Sequence, residues 1–144
     1  MAANTTPIFP LTPNVGHNKV TTADATAAKN HDGSSSGAVL LFTAGANGAR
    51  VDEIQAMHLG TNVATALRIF INNGADPTIP TNNALYKDVT AAENTISEVA
   101  GVDAISILTA PDSALVLPAG YKLYAVVGTT IAAGLMVTVI GGDY

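Results

Sequence analysis

Residues 115–144, LVLPAGYKLYAVVGTTIAAGLMVTVIGGDY, restrict the possible folds of this chain more than any other stretch. Their pattern predicts a short strand, a Pro-Ala-Gly turn and then a long β-hairpin. Both faces of this hairpin are apolar, whereas a hairpin on the outside of a single antiparallel sheet alternates apolar with polar residues. We therefore expect it to be covered on both faces. One face lines the core, and the other, with Tyr124, Val126, Met136 and Ile140, is a candidate subunit interface.

Short strand patterns separated by Gly, Pro and Asn turns recur through the rest of the chain. Strands are predicted over residues 17–22, 38–43, 50–59, 66–72 and 104–109, with a bulge near Gln55 where the alternation of the third strand slips. Residues 85–99 also fit helical spacing, but their Val, Thr and Ile content favours two strands around a turn at residues 92–94. A chain of 144 residues suits one domain. These features predict an all-β fold, a β-sandwich, with jelly-roll connectivity favoured.

The N-terminal residues differ from the rest because Pro7, Pro10 and Pro13 recur every three positions. Polyproline II has three residues per turn, so this spacing predicts an extended N-terminal arm over residues 1–16, followed by a sandwich domain over residues 17–144. The PxxP spacing could instead mark a ligand of SH3-type domains, but flanking basic residues are absent. We expect the arm to lie against another surface, and its candidate contact residues are Pro7, Ile8, Phe9, Pro10, Leu11 and Pro13.

Charge and composition disfavour several classes of partner. The formal net charge is -5, and two arginines and four lysines are scattered along the chain. Because nucleic-acid binding depends on clustered basic residues, we expect no nucleic-acid partner. No window approaches the ~18 consecutive apolar residues of a membrane span, so we expect no membrane partner either. The first ten residues lack the pattern of a signal peptide, so we expect the protein to stay soluble where it is made unless it is carried elsewhere as part of an assembly.

No group of residues in the sequence indicates catalysis or metal binding. Residues 33–37 spell G-x-S-x-G, but a nucleophile elbow needs a strand before its serine and a helix after it, and here a polar loop precedes a strand pattern. The three histidines are far apart, and the absence of cysteine excludes a thiolate metal site. The acidic residues at 52–53, 93 and 98 could serve a glycosidase, yet the chain has no tryptophan to stack on a sugar. We therefore predict no enzyme, no cofactor and no metal site, and retain a carbohydrate-binding module as an alternative.

Five segments together resemble a group of small structural proteins of tailed phages, the head decoration or cement proteins. The segments are residues 6–13, 41–54, 67–71, 115–123 and 141–144. Members of this group are typically small β-sandwich or jelly-roll domains that bind the outside of the capsid shell as dimers or trimers. The resemblance implies that this chain binds the major capsid protein and itself, on the exterior of a virion assembled in the host cytoplasm. Another virion β-domain, from a tail or an adaptor, is the alternative, and no catalytic residues are implied.

Overall fold

Nine β-strands account for almost all of the regular structure in the computed structural model, which describes residues 9–23, 31, 33, 37–110 and 114–144. A single-turn 3-10 helix, Pro80–Asn82, precedes the fifth strand. The strands are β1 (Thr12–Val20), β2 (Val39–Thr43), β3 (Ala49–His58), β4 (Thr65–Asn72), β5 (Asn83–Ala91), β6 (Ile105–Thr109), β7 (Leu115–Leu117), β8 (Lys122–Val127) and β9 (Leu135–Asp143).

The strands form two antiparallel sheets that pack against each other. Sheet I has the order β1-β9-β3-β6, with β7 also paired to β3, and sheet II has the order β2-β8-β4-β5. If β7 is set aside, the chain passes from one sheet to the other at every connection except the one between β4 and β5. This is the strand order of a jelly roll. The predicted all-β sandwich is thus confirmed.

The core lies between the inner faces of the two sheets. Its most deeply buried side chains come from the central strands and are Val51, Ile54, Leu67, Ile69, Leu123, Ala125, Val137 and Val139. Along β4, β8 and β9 these residues alternate, so every second side chain points into the sandwich. On β3 the register shift between Val51 and Glu53 keeps Val51 and Ile54 on the same face although they are three residues apart. Full burial of a large aliphatic side chain contributes about 1.5–3 kcal/mol to folding, and the core therefore provides most of the driving force.

The predicted C-terminal hairpin is wrong, because β8 belongs to sheet II and β9 to sheet I. The connection between these strands, residues 128–134, carries the fully buried Ile131, whose N–H donates to the carbonyl of Thr21 at 2.9 Å. At its start, the N–H of Gly128 donates to the carbonyl of Ala66 at 2.8 Å. Hairpin loops usually have about two to five residues. The connection from β8 to β9 is longer than a hairpin loop and carries the buried Ile131, and it crosses the end of the sandwich from sheet II to sheet I.

Strand β1 begins at Thr12, five residues earlier than the predicted first strand, and pairs with β9 along its whole length. The polyproline II geometry predicted for residues 1–16 is therefore wrong for residues 12–16, which belong to the sandwich. Pro13 is tolerated in the strand because β1 is at the edge of sheet I, where a missing N–H need not break the ladder.

The middle of the chain follows the predicted strands with one exception. The bulge of β3 predicted near Gln55 lies at Asp52 instead, because the register with β9 shifts between Val51 and Glu53 and then runs unbroken to His58. A register shift does occur beside Gln55, against β6, but its extra residue is Ile107 of β6. The second strand predicted within residues 85–99 is wrong. Beyond β5 the chain makes only an isolated bridge, between Asn94 and Asn62, before it reaches β6 in the other sheet.

The two sheets meet closely at the corner between β1 and β2. The side-chain amide of Asn14 donates to the carbonyl of Thr43 at 3.0 Å, and that of Asn18 donates to the carbonyl of Leu40 at 3.1 Å. Gly16 lies between the two asparagines, and a Cβ there would overlap the backbone of β2. Because β2 is the edge strand of sheet II, these amides occupy carbonyls that an open edge would expose.

Candidate interaction surface

The four residues predicted as a subunit interface do not form one surface. Tyr124 and Val126 are on the outer face of sheet II, whereas Met136 and Ile140 are on the outer face of sheet I, the opposite side of the sandwich. Val126 is fully buried and Tyr124 is nearly so, while Ile140 is exposed. Only Met136 and Ile140 therefore remain available for contact with another chain.

A second apolar cluster explains why the outer face of β8 is apolar. Phe70, Tyr124 and Val126 pack together on the outside of sheet II, and Ala38 lies against them. Burial raises the pKa of the Tyr124 phenol above its ordinary value of 10.0, and the nearby charge of Asp76 acts in the same direction. The prediction of cover on both faces is thus right for β8, but the second cover comes from this chain.

Three described residues between β1 and β2 contact strands of sheet II. Ala23 bridges to the end of β8, and the ring Nε2 of His31 lies 3.0 Å from a carboxylate oxygen of Asp88 on β5. The side-chain amide of Asn83 donates to the carbonyl of Gly33 at 2.7 Å. These contacts fasten Ala23, His31 and Gly33 to sheet II.

The outer face of sheet I is the more open of the two. The register of the strands places side chains from β1, β9 and β3 beside one another on this face. We call it the sheet I face, and its residues are Val15, His17, Lys19, Glu53, Gln55, Met57, Met136, Thr138 and Ile140. The side chain of Val15 is 58% exposed. Two apolar pairs lie at opposite ends of this face, Val15 with Ile140 and Met57 with Met136. The row between them is polar and consists of His17, Thr138 and Gln55. The two methionines are half-buried.

The N-terminal strip, defined as residues 9–13, continues this surface beyond the end of β9. Phe9 and Leu11 are 72% and 71% exposed. The N–H of Leu11 donates to the carbonyl of Asp143 at 2.8 Å, and Pro10 lies over Gly142, where a Cβ would come within 2.6 Å of the proline. The strip is thus fastened at its backbone while its large side chains project outward.

Four of the six predicted contact residues of the arm are among the residues that the structure describes. Phe9, Pro10, Leu11 and Pro13 lie on the N-terminal strip, next to the sheet I face. Pro7 and Ile8 lie outside the described residues. The structure therefore places the strip next to Ile140, whose partner Val15 is two residues from Pro13 on β1, whereas Met136 lies at the other end of β9 beside Lys19.

Sequence reasoning missed Val15, Lys19, Glu53 and Met57 as surface residues of one sheet. The missed signal is the alternation from Asn14 to Val20, in which small or amide side chains point inward. Because the inward positions of β1 contact a neighbouring backbone, they carry small or amide side chains and the strand shows little apolar periodicity. The first part of β1 was therefore not predicted from the sequence.

A cleft of about 550 Å³ lies at one end of the sandwich, lined by Thr61, Asn62, Val63, Glu93, Asn94, Thr95, Thr130 and Ala132. The buried amide of Asn62 donates to the carbonyl of Gly134 at 2.9 Å, and its oxygen accepts from the N–H groups of Ala133 and Gly134. Asn62 thus orders the loops around the cleft. The lining contains no aromatic side chain on which a sugar could stack.

The candidate catalytic and metal-binding residues are dispersed. His17 is on sheet I, His31 is fastened to sheet II, and His58 lies 3.2 Å from the amide of Asn62 at the end of the sandwich. Among the described residues, no group of three or more acidic or histidine side chains could hold a metal ion. Residues 34–36, the serines of the G-x-S-x-G pattern, lie outside them. Within the same part of the chain, no helix has the length and apolarity to cross a bilayer.

Comparison of the chain with protein-family models, with curated proteins and with solved structures finds no match. The sheet I face and the N-terminal strip are therefore interpreted from their own residues.

Proposed function

We propose that this protein is a structural virion component that binds the outer surface of a phage capsid and stabilises the shell as a cement protein. The observation that carries the proposal is the N-terminal strip. Phe9 and Leu11 expose most of their side chains, and the N–H of Leu11 holds this segment to the carbonyl of Asp143 on the last strand. Large apolar groups held in this way lose little conformational freedom on binding, which favours a contact with another protein.

The charge of the chain and the resemblance to cement proteins support the same role. A net charge of -5 suits a position on the outside of the shell, because packaged DNA would repel an acidic protein. A capsid lattice repeats the same site many times, so several linked copies would bind with an avidity far above that of one contact. A protein that binds only the assembled shell stabilises it by mass action.

The experiment measures attachment to heads assembled without this protein. The variant Phe9→Ala/Leu11→Ala removes the projecting side chains but keeps β1, whereas a deletion of residues 1–16 would also remove the corner residues Asn14 and Gly16. Because burial of each large apolar side chain is worth about 1.5–3 kcal/mol, we expect occupancy of the heads to require at least tenfold more protein. The matched control is Val99→Ala, since Val99 is 97% exposed on the connection between β5 and β6.

Equal occupancy by the wild type and the Phe9/Leu11 variant would contradict the role of the strip. Cryo-electron microscopy of labelled particles tests the wider proposal. Density on the outer surface of the head supports a cement protein. Density confined to the tail or its adaptor would instead favour the alternative virion component.

A further inference from the structure

We infer that the sheet I face binds the same face of a second copy of this chain, related by a two-fold axis. This inference does not depend on the proposed capsid role, because it rests on the charges and the register of one sheet. The apolar pairs at the two ends of the face, Ile140 with Val15 and Met136 with Met57, would be buried between the two copies.

The charged residues of the face are placed at opposite corners. Lys19 on β1 lies beside Met136, and Glu53 on β3 lies beside Ile140. Four residues along β9 and two strand spacings separate the corners, roughly 15–20 Å, so the two charges do not pair within one chain. Neither residue forms a salt bridge with another residue in the described part of the chain.

This arrangement is complementary to itself. Consider a two-fold axis that lies between the two faces and runs perpendicular to the line from Lys19 to Glu53. Rotation about this axis places Lys19 of each copy over Glu53 of the other, so that two opposite-charge contacts form at once. The strands of the two faces then cross at a large angle, as in orthogonal packing of sheets. A two-fold interface uses the same patch on both subunits, which is what this pattern provides.

The overall charge favours this face over other contacts between copies. Each chain carries a net charge of -5, so two copies repel each other in most orientations. Lys19 and Glu53 leave the sheet I face neutral, and beside it the Nε of Arg50 pairs with Asp52 at 2.7 Å. A second copy that approaches through its own sheet I face therefore brings no excess of negative charge to this surface.

The size of the face sets the expected strength of the dimer. Three strands spaced by about 4.8 Å and five residues of about 3.4 Å each cover roughly 250 Å² in projection. A stable interface of standard size buries about 800 Å² on each partner. We therefore expect a weak dimer in solution, with a dissociation constant of about 10 μM to 1 mM, that is populated when copies are concentrated on a surface.

The test is a charge exchange followed by sedimentation equilibrium over a range of concentrations. Lys19→Glu and Glu53→Lys each convert two attractive contacts into two repulsive ones, and we expect each variant to dimerise at least tenfold more weakly than the wild type. An equimolar mixture of the two variants should form a heterodimer close to wild-type affinity, because both contacts are attractive again. Lys87→Glu, on β5 of sheet II, is the control that makes the same change of charge elsewhere.

Restoration in the mixture cannot arise from a change in the stability of either monomer, so it separates an interface from a folding effect. The inference is overturned if the wild type is monomeric at 1 mM or if both variants dimerise like the Lys87 control. It is also overturned if the mixture is no stronger than either variant alone. Weaker binding of the Lys19 variant to heads, with a monomeric wild type, would assign the face to the capsid protein instead.

Discussion

Gly16→Ala should be among the most destabilising single-methyl additions in this protein. The new Cβ would overlap the carbonyl oxygen of Leu41, which belongs to the backbone and cannot rotate away. Strands β1 and β2 would have to separate, and the amides of Asn14 and Asn18 would then lose their carbonyl acceptors on β2. The substitution therefore tests whether this corner joins the two sheets.

The magnitude follows from three contributions. Overpacking at a closely packed site costs about 1–3 kcal/mol. Two side-chain hydrogen bonds contribute about 0.5–1.5 kcal/mol each. Replacing glycine lowers the entropy of the unfolded chain and returns about 0.4–1 kcal/mol. We expect a net loss of about 3 kcal/mol in the free energy of unfolding, which at this chain length lowers the melting temperature by about 10 °C.

Urea unfolding followed by circular dichroism measures this loss, and Gly101→Ala is the matched control. A Cβ at Gly101 meets no atom within 4 Å, and this glycine does not have positive φ. The control should therefore be neutral or slightly stabilising. If Gly16→Ala unfolds at the same urea concentration as Gly101→Ala, the close contact between β1 and β2 does not contribute to stability and the reasoning fails.

Two further predictions concern the outer face of sheet II. Val126→Asp would place an unpaired charge in the buried cluster with Phe70, and we expect it to cost about 3–5 kcal/mol and to unfold much of the protein. Val15→Asp, at an exposed position, should leave the circular dichroism spectrum unchanged, and similar spectra for both variants would show that the cluster is not buried. The pKa of the Tyr124 phenol is higher in the folded protein than in the unfolded chain, where it is near 10.0. The phenol therefore contributes its full stabilisation below the unfolded pKa, and this contribution is lost as the pH rises through the folded pKa. The wild type should therefore lose more unfolding free energy than Tyr124→Phe between pH 9 and pH 11, and equal losses would contradict this.

The sequence predicted those elements whose side-chain pattern is complete within one strand. Strands β2, β3 and β4 alternate strongly enough to be located from their own residues, although the bulge of β3 lies at Asp52 and not near Gln55. The two-sided apolar pattern of β8 correctly indicated cover on both faces. Of the candidate contact residues, Ile140 and the outward side chains of Phe9 and Leu11 are exposed on one side of the molecule.

Only the tertiary structure decided which strands are neighbours. The residues of β8 and β9 suit a hairpin equally well, but Ile131 is drawn into the core and carries the connection across the end of the sandwich. Tyr124 and Ile140 therefore lie on opposite sides of the molecule. The first five residues of β1 escaped prediction because Asn14 and Gly16 contact a neighbouring backbone and are not large apolar residues. Alternation within a strand is a local property that the sequence determines by itself, whereas pairing and cover depend on residues far apart in the chain.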